Sequence, residues 1–280
     1  MEGAVKFQMN ITTSYDDVCR FFSADDLKSF YKSHGCDGLE VMPLDNYDPA
    51  DLEHPIPPEE CSLIRSSMVR GVHCCCMGDW MDKDREELIR NYRKDLDYAK
   101  WMGAEYVVFH VVQVNDEEGF TYVMQHEDRE VLTAAASVSN ELLEGQDYDF
   151  WFRMENLWWP GLNVRSPEDT RYLLERVQYE KKGFMLDTGH FLHTNLDLKT
   201  QEEGVDYLNQ MLDAHGDLVS YIQGIHLQPS LTGDYVTEWL STRHELPEDP
   251  AERFCTVYEH IFNIYKHEPF TAEGVPAMVL

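Results

Sequence analysis

The sequence predicts a closed α/β barrel of parallel strands, a (β/α)8 architecture. Short apolar runs alternate with long amphipathic stretches at a spacing of roughly 35 residues, the signature of repeated βα units. Several runs are apolar without interruption, as in Tyr106-Val107-Val108-Phe109, which suits strands covered by helices on both faces. Histidines and carboxylates recur where the runs end, at the face where barrels of this kind carry their chemistry. A doubly wound open sheet is the alternative. It is disfavoured because no GxGxxG or GxxxxGK[ST] sequence follows any run.

Taken in order, residues 5–11 read as the first strand. Residues 16–34 read as a helix with Val18, Phe21, Phe22, Leu27 and Phe30 apolar. Gly35-Cys36-Asp37-Gly38 turns into a second strand over 39–44. A loop rich in proline (Pro49, Pro55, Pro57, Pro58) precedes a short helix over 59–67. The third strand covers 70–76, and a long helix over 84–102 places Leu88, Tyr92, Leu96 and Ala99 on one face. Gly103-Ala104 stops that helix before a fourth strand over 105–112. A helix over 127–143 and a strand over 148–155 follow. The next helix covers 166–179, and Ser166-Pro167-Glu168-Asp169 forms its start signal: a cap, a proline in the first turn, and acids at the positive end of the helix dipole. Strands over 183–187 and 221–227 flank a helix over 201–215, and a helix over 251–266 leads to a last strand over 269–272. Only seven residues follow Glu273, so the eighth helix is expected to be missing. A second copy of the chain, in a homodimer, or the segment before the first strand is expected to cover that end.

The 280 residues show no linker, low-complexity tract or long charge block, so one domain over 1–280 is expected. Hydrophobic residues make up 43% of the chain, enough for a large core. The N-terminus lacks the basic and apolar regions of a secretory signal, and no run approaches the roughly 18 apolar residues of a membrane-spanning helix. The seven cysteines include the neighbours Cys74-Cys75-Cys76 and form no CxxC pair, which argues for reduced thiols and a cytoplasmic location. Cys75 shares strand parity with His73 and reads as a buried thiol. A formal charge of −29 repels phosphate backbones at long range and disfavours nucleic acid as a partner.

His73, His110, Glu155, Asp187, His190, His226 and Glu273 stand at or just after successive strand ends. Any one of them alone reads as a hydrogen-bonded structural residue. Their shared register points instead to a centre for Zn²⁺, Mn²⁺ or a similar divalent ion, because neutral imidazoles and carboxylates are the ligands such ions take. Zinc and manganese head the expectation, followed by magnesium and cobalt.

The segments Val72-His73, Phe109-His110, Met154-Glu155-Asn156, Leu186-Asp187-Thr188-Gly189-His190, Ile225-His226-Leu227 and Ala272-Glu273 resemble the xylose isomerase-like TIM-barrel superfamily. That superfamily includes sugar isomerases and epimerases and the endonuclease IV type of abasic-site nuclease. In the isomerase and epimerase branches, the resemblance implies one ion held by Glu155, Asp187, His226 and Glu273. Glu155 and Glu273 would then move a proton next to a substrate carbonyl, with His190 on a substrate hydroxyl. In the nuclease branch it implies a second ion at His73, His110 and Glu155, and a third at His190 with an Asp-x-His pair. Here Leu227-Gln228-Pro229-Ser230 follows His226, and only Arg243-His244-Glu245 comes later, so the third set departs from that pattern.

Trp158 and Trp159 follow Glu155 directly and can either stack on a sugar or pack their loop. With His190 and His244 they form the expected substrate contacts, whereas His193 reads as a loop residue. The expected activity is isomerase or epimerase chemistry on a small polyhydroxylated substrate. The alternatives are a phosphodiester hydrolase of the endonuclease IV type and a barrel that binds metal or sugar without turnover.

Overall fold

The computed structural model describes residues 8–14, 23–43, 69–74, 80–81 and 84–271. These divide into two compact units, each assembled from separated stretches of chain: Met1–Cys76, Asp84–Phe109 and Leu142–Phe152 in the first, and Met77–Lys83, His110–Glu141 and Arg153–Leu280 in the second.

In the first unit, strands β1 (Asn10–Ser14), β2 (Gly38–Met42), β3 (Val69–His73) and β4 (Tyr106–His110) pair side by side, all parallel. Helix α1 (Ala24–Ser33) starts where the Ser23 hydroxyl accepts the Asp26 N–H at 3.1 Å. The expected helix began eight residues earlier. That stretch, with its Val18, Phe21 and Phe22, lies outside the described residues, and the Ser23 cap sets the start of the described helix.

Helix α2 (Arg85–Met102) runs from an Asp84 cap to Gly103, whose φ of 69° is the left-handed conformation that ends helices. Its buried stripe of Leu88, Tyr92, Leu96 and Ala99 is the one expected. The Tyr92 ring packs 4.6 Å from Phe109, which in turn packs 4.9 Å from Phe152. Burying each large side chain of this kind contributes roughly 1.5–3 kcal/mol. Gly71 of β3 is required by packing, because a Cβ there would lie 2.2 Å from the Tyr106 ring. That ring crosses so closely that its hydroxyl meets the Asn10 side-chain amide at 3.1 Å.

In the second unit, β6 (Lys182–Asp187) and β7 (Ile222–His226) pair in parallel, with Asp187 directly opposite His226. Strand β5 (Trp151–Glu155) delivers Glu155 to this unit. Helices α5 (Pro167–Arg176), α7 (Gln201–His215) and α9 (Pro250–Ile264) stand where the sequence placed helices, each with an oxygen-bearing cap (Ser166, Thr200, Asp249). Helix α4 (Asp128–Leu143) is likewise as expected.

Three short helices were not anticipated: α3 (Asp116–Thr121), α6 (Thr188–His193) and α8 (Gly233–Ser241). At six to nine residues they are too short to establish a helical period in sequence. Residues 5–7 of the expected first strand lie outside the described residues, and β1 begins at Asn10. Residues 269–271 form no strand, so seven strands stand among the described residues where eight were expected. The helix over 59–67, Cys75 and Glu273 lie outside the described residues. No helix among the described residues is long and apolar enough to cross a membrane.

Candidate metal centre

Glu155, fully buried at the end of β5, is the hub of the second unit. One carboxylate oxygen lies 2.7 Å from His226 Nδ1, and the other lies 2.8 Å from His110 Nε2. Burial alone would push the Glu155 carboxyl up. The adjacent His226 and His110 outweigh that and hold it well below the usual carboxylate range. Glu155 is therefore an ionised acceptor at neutral pH.

Asp187, also fully buried, ends β6 with Oδ2 3.7 Å from His226 Nδ1. Glu155, Asp187 and His226 each present one donor atom, and these atoms lie within 4.8 Å of one another. Two buried carboxylates this close to one imidazole form a negatively charged pocket whose desolvation a divalent cation would offset. The donor set of two oxygens and one nitrogen suits zinc or manganese. The residues present therefore fit such an ion.

The motif around Asp187 has a physical reason at each position. The Asp187 side chain caps α6 by accepting the His190 N–H at 2.7 Å. The Thr188 hydroxyl donates to the carbonyls of Gln228 (2.7 Å) and His226 (3.1 Å), tying the end of β6 to the chain beyond β7. Gly189 leaves room for what closes over it: a Cβ there would lie 3.0 Å from the Gln228 side chain and 3.3 Å from the Tyr265 ring. The His190 Nδ1 bonds the Asn156 carbonyl at 2.8 Å, so Nδ1 carries the proton and Nε2 keeps the lone pair. Burial pushes the His190 pKa down and keeps this neutral form. The Asn156 amide also pairs with the Asp187 backbone in both directions, donating at 3.0 Å and accepting at 2.9 Å.

His110, Glu155, Asp187, His190 and His226 are thus brought together. His73 ends β3 in the first unit, buried, with Nδ1 3.0 Å from the Cys74 carbonyl oxygen. Trp158 lies with its ring 5.1 Å from His190 and from His193.

Two expected substrate contacts are placed elsewhere. Trp159 is buried against Val112 and Leu157, where it packs its loop. His244, between α8 and α9, is stacked flat on Trp239 at 3.5 Å, with Nε2 2.5 Å from Thr242 Oγ1 and 3.0 Å from the Trp239 carbonyl oxygen. His193 is a buried helical residue, not a loop residue, with Tyr122 Oη at 3.1 Å and Thr232 Oγ1 at 3.0 Å.

The sequence reading missed Gln228 and Tyr265, which both bond Asp187 Oδ2, at 2.8 Å and 2.5 Å. Tyr265 follows α9, where an aromatic residue reads as ordinary core. Burial and the neighbouring Asp187 and Glu155 carboxylates push its phenol up, so it stays protonated and donates.

The solved structures that share the fold include the following three. A xylose isomerase candidate from Rhodospirillum rubrum aligns at a TM-score of 0.58 and 12% identity, covering 98% of this chain and 96% of that one. The 3-keto-D-glucoside 4-epimerase of E. coli aligns at 0.54 and 12% identity, over 98% and 96%. The IOLI protein, solved with a zinc atom, aligns at 0.50 and 14% identity, over 92% and 100%. No curated protein matches the chain. The family profile described as xylose isomerase-like TIM barrel matches residues 29–272, most of the sequence, and the expected barrel class and superfamily resemblance agree with it. The chain belongs to the xylose isomerase-like TIM barrel family.

Proposed function

We propose that the protein is a divalent-metal-dependent isomerase or epimerase that moves a proton next to the carbonyl of a small sugar or related polyhydroxylated substrate. The observation that carries this reading is the cluster of Glu155, Asp187 and His226 donors within 4.8 Å, on a fold shared with a sugar epimerase. The metal would be held by Glu155, Asp187 and His226, with Glu273 as fourth ligand. When bound, it supplies Lewis-acid polarisation of the substrate carbonyl.

The chain's own residues do the rest. Glu155, kept ionised by the flanking imidazoles, accepts a proton, and Glu273 is the residue we assign to return one. His190, locked in one tautomer by Asn156, offers Nε2 to a substrate hydroxyl. The Trp158 ring beside it forms an apolar wall for a sugar C–H face. The substrate is a small molecule, and the strongly acidic chain disfavours nucleic acid.

One observation favours the second reading, an endonuclease IV-like hydrolase. Each oxygen of Glu155 meets a different imidazole, the arrangement of a carboxylate that bridges two ions. Elemental analysis of protein purified without chelator separates the two. One equivalent of manganese, zinc, cobalt or magnesium, together with sugar or keto-sugar conversion, supports the isomerase reading. Two or more equivalents of zinc with cleavage of an abasic-site duplex overturns it in favour of hydrolysis. Bound metal with no conversion in either assay leaves a binding protein.

A further inference from the structure

We propose that Tyr265 is a positioning residue that aims the Asp187 carboxylate at the metal; the inference rests on the metal-dependent reading above. Asp187 is held by three donors. Tyr265 Oη and Gln228 Nε2 converge on Oδ2 at 2.5 Å and 2.8 Å, and the His190 backbone N–H takes Oδ1 at 2.7 Å. Gln228 also bonds the Tyr265 hydroxyl directly, so the two donors form one unit. Its backbone is pinned as well, because the Gln228 N–H donates to Thr188 Oγ1 at 2.9 Å.

Tyr265 is equally fixed from the other side. Its backbone N–H donates to the Ile261 carbonyl at 2.8 Å, ending α9, and its ring lies 4.2 Å from His190 and 5.7 Å from Trp158. One side chain therefore touches both the ligand carboxylate and the imidazole proposed to meet the substrate. A tyrosine in this position restricts the rotation of Asp187 while leaving its charge intact, since a phenol donates without neutralising. Partners of this kind, one step removed from the ion, typically govern 10–100-fold in metal affinity.

The geometry also explains why the neighbouring position is glycine. A methyl group at residue 189 would sit 3.0 Å from the Gln228 side chain and 3.3 Å from the Tyr265 ring and from Asp187 Oδ1, so this packed group would have to give by a few tenths of an ångström.

The test is Tyr265→Phe, which keeps the ring against His190 and Trp158 and removes only the hydroxyl. Zn²⁺ affinity of wild type and variant is measured by competition with a chromophoric chelator, and the visible spectrum of each is recorded with Co²⁺. The expected result is an affinity roughly 10–100-fold weaker in Y265F, with altered Co²⁺ d–d bands and a folded apo-protein. Equal affinities and superimposable Co²⁺ spectra overturn the Tyr265 role alone. Failure of the wild type to bind either ion overturns the metal-dependent reading, and this inference with it. If Y265F does not fold, tyrosine difference absorbance of the wild type on Zn²⁺ titration decides. A perturbation saturating with the ion supports the proposal, and an unchanged tyrosine spectrum overturns it.

Discussion

The two units of the molecule differ in how many histidines they bury: among the described residues the first buries His73, and the second buries five. The first is held by packing: Leu88, Tyr92, Leu96 and Phe109 are fully buried, and Gly71 exists to let Tyr106 cross. The second buries His110, His190, His193, His215 and His260 together with Glu155 and Asp187. Burying ionisable groups costs free energy unless partners are supplied, so the second unit spends its hydrogen bonds on aiming them. The difference teaches where to look for function, because the described histidines whose pKa burial lowers, His190, His193, His215 and His260, all lie in the second unit.

The largest expected effect breaks the second unit's chemistry and leaves the first untouched. Glu155→Gln should lower turnover on the order of 10²–10⁴-fold and weaken metal binding, with the far-ultraviolet circular dichroism unchanged. Conversion surviving this change would remove Glu155 from the catalytic role.

Acid should act on the second unit next. Burial, helped by neighbouring histidines, lowers His193 to about 3 and His260 to about 4, both below the ordinary 6.5. The unfolded chain takes up protons below pH 6.5 that the folded protein refuses, so stability is full above that pH. It falls as the pH drops toward 4, on the order of 3 kcal/mol for each histidine at most. Thermal melts at pH 7.5 and 4.5 measure the loss. The imidazole NMR signals of His193 and His260, assigned from His193→Gln and His260→Gln variants, should not titrate between pH 7.5 and 5.

Gly71→Ala probes the first unit. Overpacking against the Tyr106 ring should cost about 1–3 kcal/mol, read as a lower denaturation midpoint, while Zn²⁺ affinity is unchanged. The smallest effect is expected for Ser23→Ala, which removes the cap of α1 and about 1 kcal/mol. An altered metal affinity in either variant would show that the two units are energetically linked.

Much of this was legible in advance. The helix stripe of Leu88, Tyr92, Leu96 and Ala99 and the cap of Ser166 follow from period and local hydrogen bonding alone. So do the strand ends at His110, Glu155, Asp187 and His226, because a βα repeat places the residue after an apolar run at the strand's end. The short helix α6 was hidden because six residues carry no period; its start is marked by Asp187, which a sequence reading assigns wholly to chemistry.

What the sequence by itself determined is the alternation of strands and helices and the chemical identity of the candidate ligands, since both are properties of neighbours along the chain. Which side chains meet was decided only by the tertiary structure. Tyr265 and Asp187 are 78 positions apart, and so is no local signal joining them. Trp158 lies beside His190, which is 32 positions away in the sequence, and joins the same packing cluster as Trp159, Leu157 and Val112. Contacts at such separations depend on how the strand ends converge, which the order of residues encodes only through the fold.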